Sequence, residues 1–328
     1  MRTTAAGPTS GPGQSGHAPD DAGAAHTWRG STWSLASVDH ADGGAPRAVA
    51  LCGDSLVEIP GLDGADVTEV IARWPEFAPL LRSFDPAGGQ TTTGTLRAPL
   101  RAPGKLVCAG ANYRGHLTEM GIAEVPGGIE PYFFLLPSTS ITGPDEQVRI
   151  PPEEQARVDW EAELAVVIGT PGRDIPEADA LAHVAGYTIM NDVSARGLHR
   201  RANPLAPPFT FDWLASKGRD TFSPLGPGIT PAWLVPDPQN LHIRLWRNGK
   251  LEQDGYTADM LFPVARLIAA ASEIMCLEAG DVLATGTPAG VGVAHGAALV
   301  DGDDLRVEIT DLGTLRNPVR VAHPALHA

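Results

Sequence analysis

The chain has 328 residues, with 37 Gly, 30 Pro and 43% hydrophobic residues, a composition typical of a soluble globular protein rich in loops. Its 39 acidic residues against 24 basic ones give a formal charge of −15, which argues against a nucleic-acid or anionic-membrane surface, because both partners need concentrated positive charge. No run of about 18 apolar residues predicts a membrane span, and the three scattered cysteines predict neither a disulfide framework nor a thiolate zinc site.

The first hundred residues predict a tail followed by a small α+β domain. Residues 1–30 mix Gly, Ala, Pro, Ser and His without the apolar core of a signal peptide, so we expect a disordered tail and a cytoplasmic protein. Alternating runs at residues 32–60 predict antiparallel strands, and residues 66–84 predict one amphipathic helix. The polar stretch 85–104 predicts a linker. We therefore expect a small N-terminal domain over residues 31–100.

The rest of the chain predicts one catalytic domain, residues 104–322, dominated by β-structure. One long helix is expected at residues 258–275. Because the strands are not regularly interleaved with long helices, the sequence favours a mixed α/β, sheet-dominated sandwich or barrel-like roll over a doubly wound or TIM-type fold. The predicted strands lie at residues 106–109, 132–136, 160–168, 186–190, 241–246, 281–284 and 305–309.

Three carboxylates share one face of the strand predicted around residues 158–168. Because side chains alternate along a strand, Asp159, Glu161 and Glu163 lie together, opposite a row of apolar residues. The apolar run that follows predicts that the strand enters a core, where uncompensated charge is costly. A positive group is expected nearby. It is either arginine pairing with a rim of surface acids, or a hard divalent cation such as Mg²⁺ or Mn²⁺.

A fourth acid, Asp192, follows the next predicted strand at a turn into a helix. It is either a helix N-cap or a third ligand beside Glu161 and Glu163. Arg196 and His199 share its face of the helical turn. The guanidinium of Arg196 fits a bidentate contact with a substrate carboxylate and a structural ion pair equally well.

Two further segments carry chemistry-bearing residues. His116 and Glu119 stand three apart on a short predicted helix. The pair is either a general base, because a carboxylate orients the imidazole, or an ordinary surface contact. The segment 284–292 lacks the endings of phosphate-binding and dinucleotide-binding loops. It is either a Gly-Pro turn or a loop whose hydroxyls and amides hold a carboxylate.

Taken in order, these segments resemble the fumarylacetoacetate hydrolase family over residues 104–320. The resemblance implies a mixed β-roll catalytic domain, commonly a homodimer, with Mg²⁺ or Mn²⁺ held by Glu161, Glu163 and Asp192. The matching pieces are Asn112-Tyr113 with His116 and Glu119, Tyr132-Phe133-Phe134, the Glu-x-Glu of residues 159–169, Asn191-Asp192 with Arg196, residues 217–222, Asn248-Gly249 and Thr285-Gly286-Thr287-Pro288.

The resemblance also implies a small-molecule substrate, a 2-oxo acid or a 1,3-dicarbonyl compound. A metal ion chelated by such a substrate acts as a Lewis acid and stabilises an enolate while a C–C or C–H bond breaks. In the hydrolytic version His116, oriented by Glu119, activates water, and Lys217 adds positive charge at the enolate. Substrate contacts are implied for Tyr113, Arg196, His199 and Thr287.

We expect first a hydrolase that cleaves a C–C bond of an acylpyruvate-like 2,4-dioxo acid. The alternatives are an isomerase or decarboxylase of an unsaturated 2-oxo acid, and a catalytically inactive metal-binding partner protein. Two departures from the family bear on the substrate. Leu136 stands where the family usually has Lys, and His199 stands where many relatives have Gln, followed by an aromatic, proline-bearing stretch at residues 200–213. Both favour a bulkier, more hydrophobic substrate than a small dioate such as oxaloacetate.

Overall fold

The structure, a computed structural model, describes residues 32–39 and 44–322, so the predicted tail at residues 1–30 lies outside the described residues. Within those ranges the chain is built mainly from strands. They are β1 (Ser34–Asp39), β2 (Arg47–Cys52), β3 (Ser55–Val57), β4 (Thr91–Thr92), β5 (Thr95–Arg97), β6 (Leu106–Gly110), β7 (Tyr132–Leu136), β8 (Ile141–Thr142), β9 (Val148–Ile150), β10 (Val158–Asp159), β11 (Ala162–Ile168), β12 (Val184–Asn191), β13 (Ser194–Ala195), β14 (Ser223–Pro231), β15 (His242–Arg247), β16 (Lys250–Tyr256), β17 (Val282–Ala284), β18 (Asp304–Ile309) and β19 (Gly313–Val321).

The α-helices are short and few among the described residues. Short 3₁₀ turns also occur, two of which, Arg196–Leu198 and Gly292–His295, lie next to residues discussed below. No helix in the described ranges has the length and apolar character needed to cross a membrane. The α-helices are α1 (Val67–Ala72), α2 (Trp74–Ser83), α3 (Arg114–Glu119), α4 (Trp213–Lys217) and α5 (Val264–Ile274).

Two sheets form the body of the protein. The larger sheet runs in the order β4-β3-β2-β1-β14-β12-β11-β17-β6-β7, with β5 paired to β1 and β8 to β14. The smaller one runs β16-β15-β18-β19-β9, and β10 and β13 form a separate two-stranded ladder. Most neighbours are antiparallel, whereas β17–β6, β14–β8 and β19–β9 are parallel. The expected mixed, sheet-dominated fold is confirmed.

Strands β11 and β12 lie at the centre of this architecture. All residues of both strands are buried, and one face packs into the larger apolar cluster while the other packs into a second cluster. The register pairs Ala162 with Asn191 and Glu163 with Met190, so the start of β11 lies beside the end of β12. This register brings the two acidic segments together although about 30 residues separate them along the chain.

Three predicted elements differ from those observed. The single helix expected at residues 66–84 is two helices, α1 and α2, that meet at Arg73. Pro75 accounts for the break, because proline in a helix interior removes a hydrogen bond and clashes with the preceding turn. The helix expected at residues 258–275 begins only at Val264, directly after Pro263. The strand expected at 160–168 begins only at Ala162, because Trp160 and Glu161 lie outside regular strands, between β10 and β11.

The N-terminal segment is joined to the main sheet. Strand β1 pairs with β14 through Leu35 and Ile229, and the second apolar cluster combines side chains from both sides of residue 100. The stretch predicted as a linker, residues 85–104, contributes β4 and β5 to the same sheet. Sheet and core therefore continue across the boundary that composition predicts near residue 100.

Candidate metal centre

The acidic segments meet where β11 begins and β12 ends. The backbone amide of Glu161 donates to the Asn191 side chain at 2.9 Å, and the amide of Asp192 donates to the Glu161 carbonyl at 2.8 Å. These two bonds hold the chain beyond the regular ladder, so that both carboxylates leave the strands at the same end. Asp192 caps no helix, because the 3₁₀ turn that follows starts after Ala195. The N-cap interpretation of Asp192 is therefore wrong.

Glu161, Glu163 and Asp192 form one buried cluster. A carboxylate oxygen from each lies within 4.8 Å of the others, and all three residues are at most 5% exposed. Oxygen-only donors of this kind suit a hard divalent cation. The Oδ1 atom of Asp192 is buried without a hydrogen-bond partner among the described residues, although buried polar atoms normally have one. The donor set and this unpartnered oxygen both fit a metal ion held by the three carboxylates.

Two basic side chains neutralise part of the cluster. The Lys217 ammonium donates to Glu161 Oε2 and to Asp192 Oδ2, each at 2.6 Å. Arg196 donates to the other oxygen of Glu161 and, at 2.7 Å, to Asp159. The structural ion pair is thus the alternative observed for Arg196, and a contact with substrate stays a prediction. Of the alternative that paired a rim of surface acids with arginine, the arginine pairing is observed, whereas the surface location is wrong because the carboxylates are buried.

The three carboxyl groups differ in their pKa. Burial opposes ionisation of Glu161, but the charges of Arg196 and Lys217 outweigh it and hold its pKa below the usual range. Burial, partly offset by Lys217, raises the pKa of Asp192 to about 6. Burial together with the charges of Asp192 and Glu161 raises the pKa of Glu163 well above its usual value. A cation at this cluster would therefore displace protons from two of the three groups.

His116 and Glu119 lie on α3, as predicted, and their side chains contact each other. His116 Nδ1 and Glu119 Oε2 are 3.4 Å apart, and the imidazole is largely buried. The other oxygen of Glu119 accepts from the Gly290 amide at 2.8 Å and lies 3.7 Å from His295 Nε2. The surface-contact alternative is wrong, because Glu119 is fixed from a second segment of the chain. This arrangement orients the His116 ring and leaves Nε2 as the nitrogen not engaged by Glu119.

The loop that follows β17 binds one of the carboxylates of the cluster. The Gly286 amide donates to Glu163 Oε2 at 2.7 Å, so a free amide of this loop does hold a carboxylate, that of the protein itself. Gly286 has φ +90°, and a Cβ here would lie 2.9 Å from the Cβ of Asn112, so this position favours glycine. The Thr287 hydroxyl donates to the Ala162 carbonyl at 2.8 Å. Its contact with substrate stays a prediction.

The remaining predicted site residues surround the cluster. Tyr113 is fully buried, and burial followed by the charge of Glu163 raises the pKa of its hydroxyl. His199 is half-buried, and burial followed by the charges of Lys217 and Arg196 lowers its pKa. Leu136 is buried in the second apolar cluster, so the position that usually carries Lys in the family contributes to the core here.

The sequence did not predict the contacts that two residues of the site, Asp159 and Gln253, make. Asp159 was expected only as one of three similar acids, yet it bridges Arg196 and the Val293 amide, which donates to it at 2.8 Å. Gln253 is fully buried, donates to Thr287 at 2.8 Å and accepts from the Ala162 amide at 2.9 Å. Its position among alternating residues of β16 is the only signal in the sequence, and that signal does not identify partners so distant along the chain.

Comparison with known proteins identifies the family of the chain. A family model described as fumarylacetoacetate (FAA) hydrolase C-terminal matches residues 105–320, and the chain belongs to that family. Among curated relatives, the Xenopus laevis protein "Oxaloacetate tautomerase fahd2, mitochondrial" is 45% identical over 227 residues, which are 69% of this chain and 68% of that protein.

Solved structures with related folds are named for different activities. A 5-carboxymethyl-2-hydroxymuconate delta-isomerase from Mycobacterium smegmatis is 32% identical, with a TM-score of 0.66 over 88% of this chain and 100% of its own. A maleylpyruvate hydrolase from Sphingobium sp. SYK-6, in complex with manganese (II) ion and pyruvate, is 28% identical, with a TM-score of 0.71 over 89% of this chain and 100% of its own. The chain is thus similar to enzymes of more than one reaction class.

Proposed function

We propose that the chain is a metal-dependent enzyme that interconverts the keto and enol forms of a 2-oxo acid. The observation that carries the proposal is the buried cluster of Glu161, Glu163 and Asp192, with one carboxylate oxygen that has no hydrogen-bond partner in the described part of the chain. Mg²⁺ and Mn²⁺ are the ions we propose, because both prefer oxygen ligands. The manganese (II) ion and pyruvate of the Sphingobium complex, and the tautomerase name of the Xenopus relative, support the same assignment.

The chemistry divides between the ion and the side chains around it. When bound, the metal ion supplies Lewis-acid polarisation of the 2-oxo group, which makes the C3 proton more acidic. His116, oriented by Glu119, takes that proton through Nε2 and returns it to the enol oxygen. Lys217 remains protonated, because the charges of Asp192 and Glu161 raise its pKa despite its burial. Its ammonium stabilises the negative charge that develops on the oxygen.

The assay follows the decay of the enol absorbance of a 2-oxo acid, with oxaloacetate as the first probe. We expect turnover with Mn²⁺ and its loss with a chelator. Exchange of His116 for Ala should lower kcat about 10²- to 10⁴-fold, the usual contribution of a general acid–base group. The matched control is Glu124→Gln, an exposed carboxylate five residues beyond Glu119. Equal rates with and without metal, or an unaffected His116→Ala variant, would overturn the proposal.

C–C bond hydrolysis is the second candidate, and the oriented His116–Glu119 pair favours it, because the same base can activate water. An acylpyruvate in ¹⁸O-labelled water distinguishes the two reactions. Hydrolysis places the label in the released carboxylate, whereas tautomerisation leaves the carbon skeleton intact. Complete inertness towards both substrates would support the third prediction, an inactive metal-binding partner. The homodimer and the cytoplasmic location stay predictions.

A further inference from the structure

Five rings form a continuous cluster that we call the aromatic wall: Tyr132, Phe134, His199, Phe211 and Trp213. Trp213 is at its centre. Its ring stacks on Phe134 with centroids 4.8 Å apart, lies 5.7 Å from Tyr132 and meets the edge of His199 at 4.4 Å. Phe211 extends the wall on the far side of His199, at 5.2 Å.

The wall stands next to the carboxylate cluster. Trp213 and Lys217 are four residues apart on α4, so they share one face of the helix. The Lys217 ammonium lies 5.8 Å from the centroid of the Phe134 ring while it binds Glu161 and Asp192. Besides burial, the nearby charges of Lys217, Arg196 and Glu161 affect the pKa of His199. One end of the wall therefore adjoins the predicted metal ligands.

The outer rings of the wall remain accessible. Phe211 is 57% exposed and Tyr132 is 53% exposed, an unusual amount for large apolar side chains that pack on other rings. The wall's own side chains contain no permanent cation, and the one titratable ring that could become positive, His199, has a lowered pKa. A second carboxylate of a substrate would find no charged partner on the wall, whereas an apolar ring would find stacking partners.

Resting on the function proposed above, we propose that the preferred substrate is a 2-oxo acid whose C3 carries an aromatic or bulky apolar group that packs against the aromatic wall. The 2-oxo and carboxylate oxygens would then face the metal ligands and Lys217, and the apolar group would extend towards Phe211. The tautomerase relatives are named for oxaloacetate, a small substrate with a second carboxylate. A direct comparison of the two substrate types therefore tests the role of the aromatic wall.

The experiment measures kcat/KM for keto–enol interconversion of phenylpyruvate and of oxaloacetate with the Mn²⁺-loaded full chain. The ratio of the two values is the readout. We expect wild type to favour phenylpyruvate, and Phe211→Ser to lower the ratio about 2- to 12-fold, the range that one aromatic contact contributes. The matched control is Phe209→Ser, which changes an equally exposed phenylalanine of the same segment outside the wall. It should leave the ratio unchanged.

The outcomes separate this inference from the proposed function. Turnover of oxaloacetate in clear preference to phenylpyruvate refutes the role of the wall and leaves the tautomerase proposal standing. An unchanged ratio in Phe211→Ser also refutes it. Inertness towards both substrates overturns both proposals. Because Phe211 is more than half exposed, its replacement by Ser should preserve the fold, and equal melting temperatures of the two variants check that expectation.

Discussion

Replacing Lys217 by Met tests whether the carboxylate cluster needs a cation. The Lys217 ammonium makes two 2.6 Å bonds to Glu161 and Asp192, and its side chain is 4% exposed. Removal of one partner of a buried ion pair costs about 3–5 kcal/mol, because the other charge stays buried and uncompensated. We expect the metal-free Lys217→Met variant to lose about that much unfolding free energy at pH 8.

The same charges determine how the stability loss of the Lys217→Met variant changes with pH. Without the ammonium, the pKa values of Glu161 and Asp192 rise, because burial then acts with less opposition. A carboxyl group whose pKa is higher in the folded than in the unfolded state destabilises the fold increasingly as pH rises above its unfolded value. The stability deficit of the variant should therefore be smaller at pH 5 than at pH 8.

Chemical denaturation in chelator and in Mn²⁺ measures both effects. Mn²⁺ should stabilise Lys217→Met more than wild type, because a divalent ion replaces the missing charge without repulsion from the ammonium. The matched control is Lys105→Met, which also removes a lysine paired with two carboxylates, Glu278 and Asp281, but a more exposed one and away from the cluster. If both variants lose equal stability in chelator and gain equally from Mn²⁺, the ammonium does not neutralise a metal site, and the reasoning is refuted.

Three further predictions concern the same site. Glu163→Ala should abolish Mn²⁺ binding in calorimetry while His116→Ala binds normally, and unchanged affinity in Glu163→Ala would contradict the ligand assignment. Mn²⁺ affinity should rise between pH 5 and pH 8 with release of protons, because the pKa of Asp192 is raised to about 6 and that of Glu163 lies well above its usual value. An affinity independent of pH would count against this prediction. Gly290→Ala should lower kcat about tenfold or more without changing Mn²⁺ affinity, because a Cβ at φ +104° would lie 2.0 Å from the Glu252 carbonyl and displace the amide that holds Glu119.

The chemistry-bearing residues were visible before any fold was known. Alternation in the sequence groups Glu161 with Glu163, although Glu161 lies just before β11, and the spacing of three residues pairs His116 with Glu119 on α3. Both groupings depend on local periodicity, which sequence determines directly. The ends of the helices were harder to predict from the sequence. The apolar pattern is continuous there, but Pro75 and Pro263 determine where the helices begin.

Only the tertiary structure shows which side chains from distant segments contact each other. Charge and residue type allowed Arg196 to contact a substrate or a protein carboxylate, and the pairing of β10 with β13 placed it against Asp159 and Glu161. In the same way, only the loop at Gly290 shows that Glu119 is fixed.

The sequence by itself therefore determined which groups are present and which of them lie close together along the chain, because the spacing of side chains within one short segment follows from fixed backbone geometry. The tertiary structure decided which charges are paired, which are buried and which rings meet in the aromatic wall. These properties depend on the register of strands far apart in the chain, and on the desolvation that packing imposes on each carboxylate.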